Sequence, residues 1–387
     1  MNKKIIIIKK LNEIFKIFKE KFYFLDKIIS NFFFIIIVIG IVLNIYLFYF
    51  AFFYFLIKIY LRTNRNIPLI LAYIILGIII TDLSSYLKFE KNHYKIESNI
   101  EYDIDKNYGY YPPKNSKFKE TVFFKDKILK ENNYSINEFG HRKLFNKPNN
   151  LSKCIVFHGG SITFGQSLND NEVLPFYLKN NLGDKYSIYN FAFNGYGPHQ
   201  FLSKLKNNYL EEIKNCQDII VIYQFIFDHI GRTAGKRSWG DKSPRYVLQK
   251  KELIQKGFFS NYPYKIIMKI RKNFRNSKTL SLFFNLDKVS KKDKKVLLEI
   301  LKQIELEVKK KFNKSEFIYI IWNNHNFNLP KINNFFKNSN HIIVDDLDLS
   351  ENIKKNMIPG DNHPTKEYNF IIAKELEKKV KILTNFF

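Results

Sequence analysis

Two short motifs that lie far apart in the chain carry the residue types that acyl-transfer chemistry requires. Gly159-Gly160-Ser161 follows an apolar run that predicts a buried strand ending in a sharp turn. Asp361-Asn362-His363-Pro364 places a carboxylate two residues before an imidazole. A serine hydroxyl is a weak nucleophile until a base takes its proton, and a histidine held by a carboxylate is the usual base. The motifs therefore predict Ser161 as nucleophile, His363 as general base and Asp361 as the group that orients the imidazole.

The elements that would position these residues alternate along the chain after residue 152. Strands are predicted at 154–158, 187–192, 218–224, 317–322 and 342–344, and helices at 172–182, 200–213, 292–312 and 366–383. Such alternation is typical of a parallel sheet covered by helices on both faces, which collects functional groups at the C-terminal ends of its strands. The predicted fold class is thus α/β, a three-layer sandwich with a mostly parallel sheet. Ser161, Asn194-Gly195 and Asp228-His229 each follow a predicted strand.

The remaining sequence divides into segments of different composition. Residues 1–31 are basic and amphipathic, 32–87 form an apolar region, 88–150 are predicted to form an extended arm, and 151–387 form the α/β domain. Within the arm, 121–124 and 134–136 are strand candidates. Residues 230–290 interrupt the alternation, which predicts added helices or a lid over the site.

The apolar region predicts an integral membrane anchor at the N-terminus. Residues 32–57 carry no charge and exceed the ~20 residues that cross a bilayer, so they predict a transmembrane helix. A second span at 67–87 is expected, because a short loop separates the two segments. The side that holds the α/β domain is left open. Eight lysines before Phe32 favour a cytoplasmic N-terminus, whereas Arg62 and Arg65 between the helices favour the opposite orientation.

The formal net charge of +27 invites a nucleic-acid interpretation, which the sequence does not support. The lysines are spread along the chain, and no nucleic-acid-binding motif accompanies them. The expected partners are instead the lipid bilayer and an acyl-ester substrate. Cys154 and Cys216 are expected to be small buried hydrophobes, and two cysteines do not indicate a cellular compartment. No cluster has metal-ligand spacing, and no cofactor is implied.

Three sequence blocks in order resemble those of the SGNH, or GDSL-like, hydrolases. His158-Gly159-Gly160-Ser161-Ile162-Thr163-Phe164-Gly165 resembles the first block, Asn190-Phe191-Ala192-Phe193-Asn194-Gly195-Tyr196-Gly197 the second, and Asp361-Asn362-His363-Pro364 the fifth. Upstream, 108–112 and 136–142 are similar to the lead-in of membrane-anchored members. The resemblance implies a flavodoxin-like SGNH hydrolase fold and no cofactor. It also implies an oxyanion hole made by the backbone N–H groups of Ser161 and Gly195, with Asn194 as a further candidate.

One departure from the family pattern concerns the third block, which supplies an asparagine side chain to the oxyanion hole. Phe227 occupies that place here. Loss of one such donor typically costs ~10²–10³ in rate, so the enzyme is slow or another group serves. His229, Gln224 and Asn194 are the candidates, and the sequence does not choose among them.

Other residues near the predicted site have a structural interpretation beside the functional one. His158 is expected to form a wall of the site, and Asp228 with His229 to make structural hydrogen bonds. Arg232 can pair with Asp228 or bind an anionic substrate. The alternative for Ser161 is a helix N-cap, and the alternative for Gly195 is a turn that needs positive φ; the catalytic roles are the favoured interpretation of both.

The leading hypothesis is a membrane-anchored serine esterase or O-acyl (acetyl) transferase that acts on carboxylic esters of envelope glycans or lipids. An esterase transfers the acyl group to water and a transferase to a sugar hydroxyl. The triad is the same in both, so it does not distinguish them. The alternative is a catalytically impaired SGNH-like domain that binds a glycan or protein at the membrane. A basic scaffold that binds anionic lipid or nucleic acid is a third hypothesis.

Overall fold

A computed structural model describes residues 45–384 apart from 64, 90–93, 145–150, 238, 284–285, 287, 323–329, 345–346, 348–356 and 359–362. The chain forms two compact units. One contains the N-terminal helices together with Lys269–Leu286, and the other contains Lys91–Met268 and Asp287–Phe387. Each unit is described by itself below.

The central sheet belongs to the larger unit and consists of five parallel strands. The strands are β6 (Lys153–His158), β7 (Ser187–Asn190), β8 (Asp218–Phe225), β11 (Lys314–Ile321) and β12 (Asn340–Ile343). Their order across the sheet is β12-β11-β8-β6-β7. Counted along the chain this is the 2-1-3-4-5 order of flavodoxin-like folds, in which ligands bind where the strand order reverses. That point lies at the C-terminal end of β6, which Ser161 follows.

Helices cover both faces of this sheet. The helices of the larger unit are α3 (Ser161–Phe164), α4 (Leu174–Leu182), α5 (Pro198–Lys206), α6 (Asp228–Thr233), α9 (Lys291–Lys311), α10 (Pro330–Lys337) and α11 (Lys366–Thr384). Alternate strand residues point to opposite faces, so Val156 packs with α5 and α9 while Ile155 packs with α4 and α11. The result is the predicted three-layer α/β sandwich.

The predicted elements agree with these bounds except at their ends. Strand β7 stops at Asn190, two residues before the predicted end, and β11 begins at Lys314, three residues before the predicted start. The helix predicted at 200–213 is wrong in its second half. It ends at Lys206, and Asn208 then takes a positive φ of 57° before a 3-10 turn at Glu211–Ile213. A left-handed residue cannot continue an α-helix.

The arm is antiparallel sheet rather than isolated extended chain. Its strands are β1 (Tyr94–Ser98), β2 (Asp103–Asp105), β3 (Gly109–Tyr111), β4 (Lys117–Phe124) and β5 (Lys127–Ser135). Strands β1, β4 and β5 form one sheet, and β2 pairs with β3. The insertion after α6 contains a β-hairpin, β9 (Pro244–Gln249) with β10 (Glu252–Phe258), besides the predicted helices, which are α7 (Tyr264–Asn276) and α8 (Lys278–Phe283).

The smaller unit is built on two apolar helices, α1 (Ile45–Thr63) and α2 (Asn66–Phe89). Both are long and apolar enough to cross a membrane, by length and composition. The first ends later than the predicted 32–57, and residues 32–44 lie outside the described part. Lys269–Leu286 belongs to the same unit: the Tyr49 hydroxyl donates to Ser277 Oγ at 2.7 Å, and the Thr279 N–H donates to Asp82 Oδ1 at 2.7 Å.

The cysteine prediction is wrong in one respect. Cys154 and Cys216 are buried as expected, but they form a disulfide, with Cα atoms 5.7 Å apart. The cause is the strand order. Cys154 lies at the start of β6, Cys216 precedes β8, and these two strands are parallel neighbours. Their N-terminal ends therefore meet, although 62 positions separate the cysteines in the sequence.

Removing this disulfide is expected to destabilise the larger unit. The bond closes a loop of 62 positions, and loss of such a native bond typically costs about 2–5 kcal/mol. The double variant Cys154→Ala/Cys216→Ala is expected to unfold at a correspondingly lower denaturant concentration than the oxidised protein. Dithiothreitol should lower the unfolding midpoint of the unaltered protein and leave that of the double variant in place. Equal unfolding midpoints for the unaltered protein and the double variant, both without dithiothreitol, would contradict the prediction.

Candidate active site

The structure brings the two predicted motifs together. Ser161 Oγ lies 2.8 Å from His363 Nε2, across 202 positions of sequence. Ser161 is the first residue of α3, directly after the turn that ends β6, and is 8% exposed. His363 precedes α11, and its carbonyl accepts a hydrogen bond from the Ile358 N–H at 2.7 Å. A hydroxyl and an imidazole at this distance can exchange a proton.

The third member of the predicted triad, Asp361, lies outside the described residues. Its role therefore stays a prediction from the spacing of Asp361 and His363. The geometry of the described site concerns the nucleophile, the base and the loops around them.

The loop 191–197 after β7, called the second-block loop below, lies beside the turn 159–161 after β6, called the nucleophile turn. The sequence predicts this, because both segments follow predicted strands. A Cβ atom on Gly160 would come within 3.0 Å of the Tyr196 carbonyl oxygen, so only glycine permits this approach. Gly195 has a φ of 77°, a left-handed conformation that favours glycine. Among the described residues, neither the Ser161 nor the Gly195 N–H has a backbone acceptor. Two donors at adjacent turns are what an oxyanion hole requires.

Arg232 connects the segments that follow strands β6, β7 and β8. Its Nη1 donates to the Tyr196 carbonyl at 2.6 Å, and its Nε donates to Asp228 Oδ2 at 2.8 Å. The same guanidinium lies against the Cα of Gly160, where a Cβ would collide with it. Arg237 also donates to Asp228. Of the two roles that the sequence leaves open for Arg232, the structure has the pairing with Asp228, and Arg232 thereby fixes the second-block loop behind Ser161.

Three buried histidines form the layer beneath the nucleophile turn. His158 stacks between Phe201 and Tyr223, and His229 Nδ1 lies 2.5 Å from the Tyr223 hydroxyl. Burial lowers the pKa of His158 to about 3, and burial with the nearby Arg232 charge lowers that of His199 to about 3. The same two causes lower the pKa of His229 well below its usual value. All three are therefore neutral near pH 7 and structural, and His363 is the imidazole that contacts Ser161.

The three candidates for the missing oxyanion donor occupy different places. His229 Nε2 lies behind Gly160, 3.3 Å from where a Cβ would be. Gln224 is 1% exposed, and both its amide atoms lack a hydrogen-bond partner within the described part of the chain. Asn194 is partly exposed beside Gly195, with its carbonyl held by the Tyr110 hydroxyl at 3.0 Å. Asn194 alone of the three is partly exposed and adjacent in sequence to Gly195, although its side-chain Oδ1 is buried with no hydrogen-bond partner among the described residues. Phe227, in the family asparagine's place, is 39% exposed.

A buried lysine, Lys204, lies behind the second-block loop and is not among the residues that the sequence patterns indicate. Lys204 Nζ lies 2.7 Å from His141 Nε2, and His141 Nδ1 lies 2.5 Å from Glu212 Oε2. Burial lowers the pKa of Lys204 to about 7, and burial with the Lys204 charge lowers that of His141 to about 4. The neutral His141 can accept from Lys204 and donate to Glu212. The Lys204 ammonium also lies 5.8 Å from the centre of the Tyr196 ring.

Lys204 is expected to make stability depend on pH. Its pKa is about 7 in the folded state against 10.5 for a free lysine, so the unfolded chain binds more protons between these values. The free energy of unfolding should therefore rise from pH 7 towards pH 10. Between pH 7 and 9 the unaltered protein should gain about 2 kcal/mol more than Lys204→Met, measured by denaturant titration. Parallel pH profiles for the two proteins would refute this prediction.

Comparison with known proteins adds a fold-level likeness. No family model and no curated protein sequence matches the chain. Similar solved structures include a psychrotrophic esterase from Pseudoalteromonas sp., 14% identical with a TM-score of 0.33, over 60% of this chain and 98% of that one. A protein of the G-D-S-L lipolytic family from Desulfitobacterium hafniense is 12% identical with a TM-score of 0.32, over 59% and 99%. An acetyl xylan esterase from the rumen bacterium Butyrivibrio proteoclasticus is 10% identical with a TM-score of 0.35, over 77% and 89%.

Two of these neighbours are described as esterases and one as a lipolytic protein. Because the identities and TM-scores are low, any proposal for function depends on the side chains of this chain.

Proposed function

We propose that the chain is a membrane-anchored serine esterase or O-acyltransferase of the SGNH type. The observation that carries the proposal is the 2.8 Å contact between Ser161 Oγ and His363 Nε2. Its position supports the proposal, because Ser161 follows β6 at the point where the strand order reverses. Buried serines usually bond to nearby backbone, whereas this one meets an imidazole from the far end of the domain.

In the proposed mechanism, His363 Nε2 accepts the Ser161 proton as Oγ attacks the ester carbonyl carbon. The negative oxygen of the tetrahedral intermediate binds to the N–H groups of Ser161 and Gly195, with Asn194 as a third donor. His363 then gives the proton to the leaving alcohol as the ester C–O bond breaks, and the acyl group stays on Ser161. Water or a sugar hydroxyl, deprotonated by the same imidazole, attacks the acyl-enzyme, and the bond from the acyl carbon to Ser161 Oγ breaks as His363 returns the proton to Oγ. Asp361 is proposed to hold the His363 tautomer.

The experiment that tests this function is turnover of 4-nitrophenyl acetate by the detergent-purified protein, followed by labelling with a fluorophosphonate. We expect release of 4-nitrophenol and one covalent label per chain, located on Ser161 by peptide mass spectrometry. Addition of a sugar acceptor distinguishes the transferase, because acetylated sugar then forms at the expense of acetate. A folded protein with neither turnover nor label would favour the alternative, a non-catalytic domain that binds a glycan or a protein. That alternative is suggested by Phe227, which stands where the SGNH pattern has an oxyanion asparagine.

We further propose that α1 and α2 cross the bilayer and that the larger unit faces an oxidising compartment outside the cytoplasm. The Cys154–Cys216 disulfide supports this side, because cytosolic thiols are kept reduced. Arg62 and Arg65 near the turn between the helices support it too, since positive loops stay in the cytoplasm. Protease added to intact cells, with the outer membrane permeabilised where one is present, is expected to digest the larger unit. Protection of that unit until the inner membrane is lysed would place it in the cytoplasm.

A further inference from the structure

An exposed tryptophan lies directly on the oxyanion glycine. A Cβ built on Gly195 would be 2.9 Å from Trp239 Cδ1 and 3.3 Å from Trp239 Nε1, so the indole is in contact with the Gly195 backbone. Trp239 is nevertheless 51% exposed. Its free surface therefore begins where the second-block loop contributes its N–H to the proposed site. A single exposed apolar residue is common on protein surfaces, so the case for a binding surface depends on the groups around the indole.

The loop that carries Trp239 is held at both ends, so the exposure does not come from a dangling segment. On the N-terminal side Arg237 donates to Asp228. On the C-terminal side the Ser243 N–H donates to the Gly240 carbonyl at 3.1 Å, and Ser243 Oγ accepts from Gln200 Nε2 at 2.9 Å. The Gly240 N–H in turn donates to the Arg237 carbonyl at 3.2 Å. An indole on a fixed loop is preorganised for a ligand, which saves the entropy of ordering it.

The surroundings of the indole combine aromatic surface with polar groups. Tyr110 also reaches Gly195, with its hydroxyl 2.6 Å from the same Cβ position. Tyr102 packs edge-on against Tyr110 at 5.9 Å and is 52% exposed, and Lys242 Nζ lies 4.8 Å from the centre of the Tyr102 ring. A pyranose ring has apolar C–H faces and hydroxyls at its edge, which matches a flat aromatic surface bordered by hydroxyl, amide and ammonium groups. An acyl chain would instead require a continuous apolar groove.

We propose that Trp239 is a platform on which a sugar ring of the ester substrate stacks, with the acyl group directed to Ser161. This inference rests on the proposed function and narrows its substrate class to an O-acylated carbohydrate. The sugar ring lies over Trp239, and its hydroxyls reach Tyr102, Lys242 and Asn194. Tyr110, which is buried, supports the loop from below.

The test compares two alkyl acetates that differ in the ring alone: methyl 6-O-acetyl-β-D-glucopyranoside and ethyl acetate. The unaltered enzyme is expected to have the higher kcat/KM on the sugar ester. Trp239→Ala is expected to lower the ratio of the two kcat/KM values by roughly tenfold, mainly through KM, and Trp239→Phe by less, because it keeps an aromatic face. Ile128→Ala, which removes a 60% exposed apolar side chain from the arm, is the control and should leave the ratio unchanged.

The outcomes separate the two proposals. Failure of the unaltered protein to turn over 4-nitrophenyl acetate as well as both esters contradicts the proposed function itself. Turnover of 4-nitrophenyl acetate without a higher kcat/KM on the sugar ester than on ethyl acetate overturns the sugar platform alone. Hydrolysis of both esters with the same ratio in Trp239→Ala and the unaltered enzyme overturns the sugar platform and leaves the esterase standing. Dioctanoylglycerol is tested beside the two acetates. If Trp239→Ala lowers kcat/KM only on this diacylglycerol, the sugar platform is overturned and the indole is assigned to a lipid-ester site.

Discussion

Replacing Ser161 with alanine is expected to reduce kcat on 4-nitrophenyl acetate by about 10⁴–10⁶-fold, which is the size of effect seen when the nucleophile of a serine triad is removed. The hydroxyl is the atom that forms the proposed acyl-enzyme, and it is the group that lies 2.8 Å from His363 Nε2. What remains is the background supplied by the oxyanion donors. Turnover should be measured with protein purified in parallel, and fluorophosphonate labelling should disappear.

The control for this prediction is Ser203→Ala, which removes a buried hydroxyl that donates to the Asn107 carbonyl, away from the nucleophile turn. Ser203 Oγ also lies 3.2 Å from Gln255 Oε1 and 3.5 Å from Asn207 Nδ2, so the unfolding midpoint of Ser203→Ala should fall at least as far as that of Ser161→Ala. The activity of Ser203→Ala should stay within about threefold of the unaltered enzyme. If Ser161→Ala hydrolyses the ester as fast as Ser203→Ala does, the nucleophile is elsewhere and the proposed mechanism is wrong.

Gly195→Ala is expected to lower kcat by about 10²–10³-fold, the usual cost of one oxyanion donor. The residue has a φ of 77°, which a side chain disfavours, and the new methyl group would collide with the Tyr110 hydroxyl and the Trp239 indole. Both effects force the loop to shift and move its N–H away from the oxyanion. Because the donor acts on the transition state, KM should change far less than kcat.

Gly183→Ala is the matched control. Gly183 also has a positive φ, at 62°, but no atom lies within 4 Å of its Cβ position. The substitution introduces backbone strain of order 1 kcal/mol without a collision and away from Ser161. It should lower stability and leave kcat within about twofold. A kcat for Gly195→Ala equal to that of Gly183→Ala would remove Gly195 from the oxyanion hole.

The alternation of strands and helices could be predicted because the central strands each contain an apolar run and the helices have one apolar face. Strand β8, for example, is buried along nearly its whole length. The antiparallel arm was harder to predict. Strand β4 has an alternating burial pattern over eight residues, yet only its last four form a continuous run of strand-forming types. The early end of α5 depends on one left-handed residue, Asn208, which no periodicity reveals.

The contact between Ser161 and His363 could be predicted from motif types and order, since each motif makes chemical sense only with the other. The disulfide could not, because pairing of Cys154 with Cys216 depends on β6 and β8 being neighbours. The same holds for Trp239. It lies in the insertion, 44 positions after Gly195, and no local pattern connects the two. Side chains brought together by sheet order or by an inserted loop carry no local sequence signal.

The assignment of Lys269–Leu286 to the unit of α1 and α2 has a practical consequence for isolating the other unit. The chain passes between the two units at three places, near residues 90, 268 and 286, so a single cut at any of them leaves part of one unit covalently joined to the other. Expression from residue 91 onwards would retain Phe274 and Leu280, which pack among the apolar residues of α1 and α2, without their partners. A soluble version should therefore replace 269–286 with a short glycine-serine bridge as well as omit the first 90 residues.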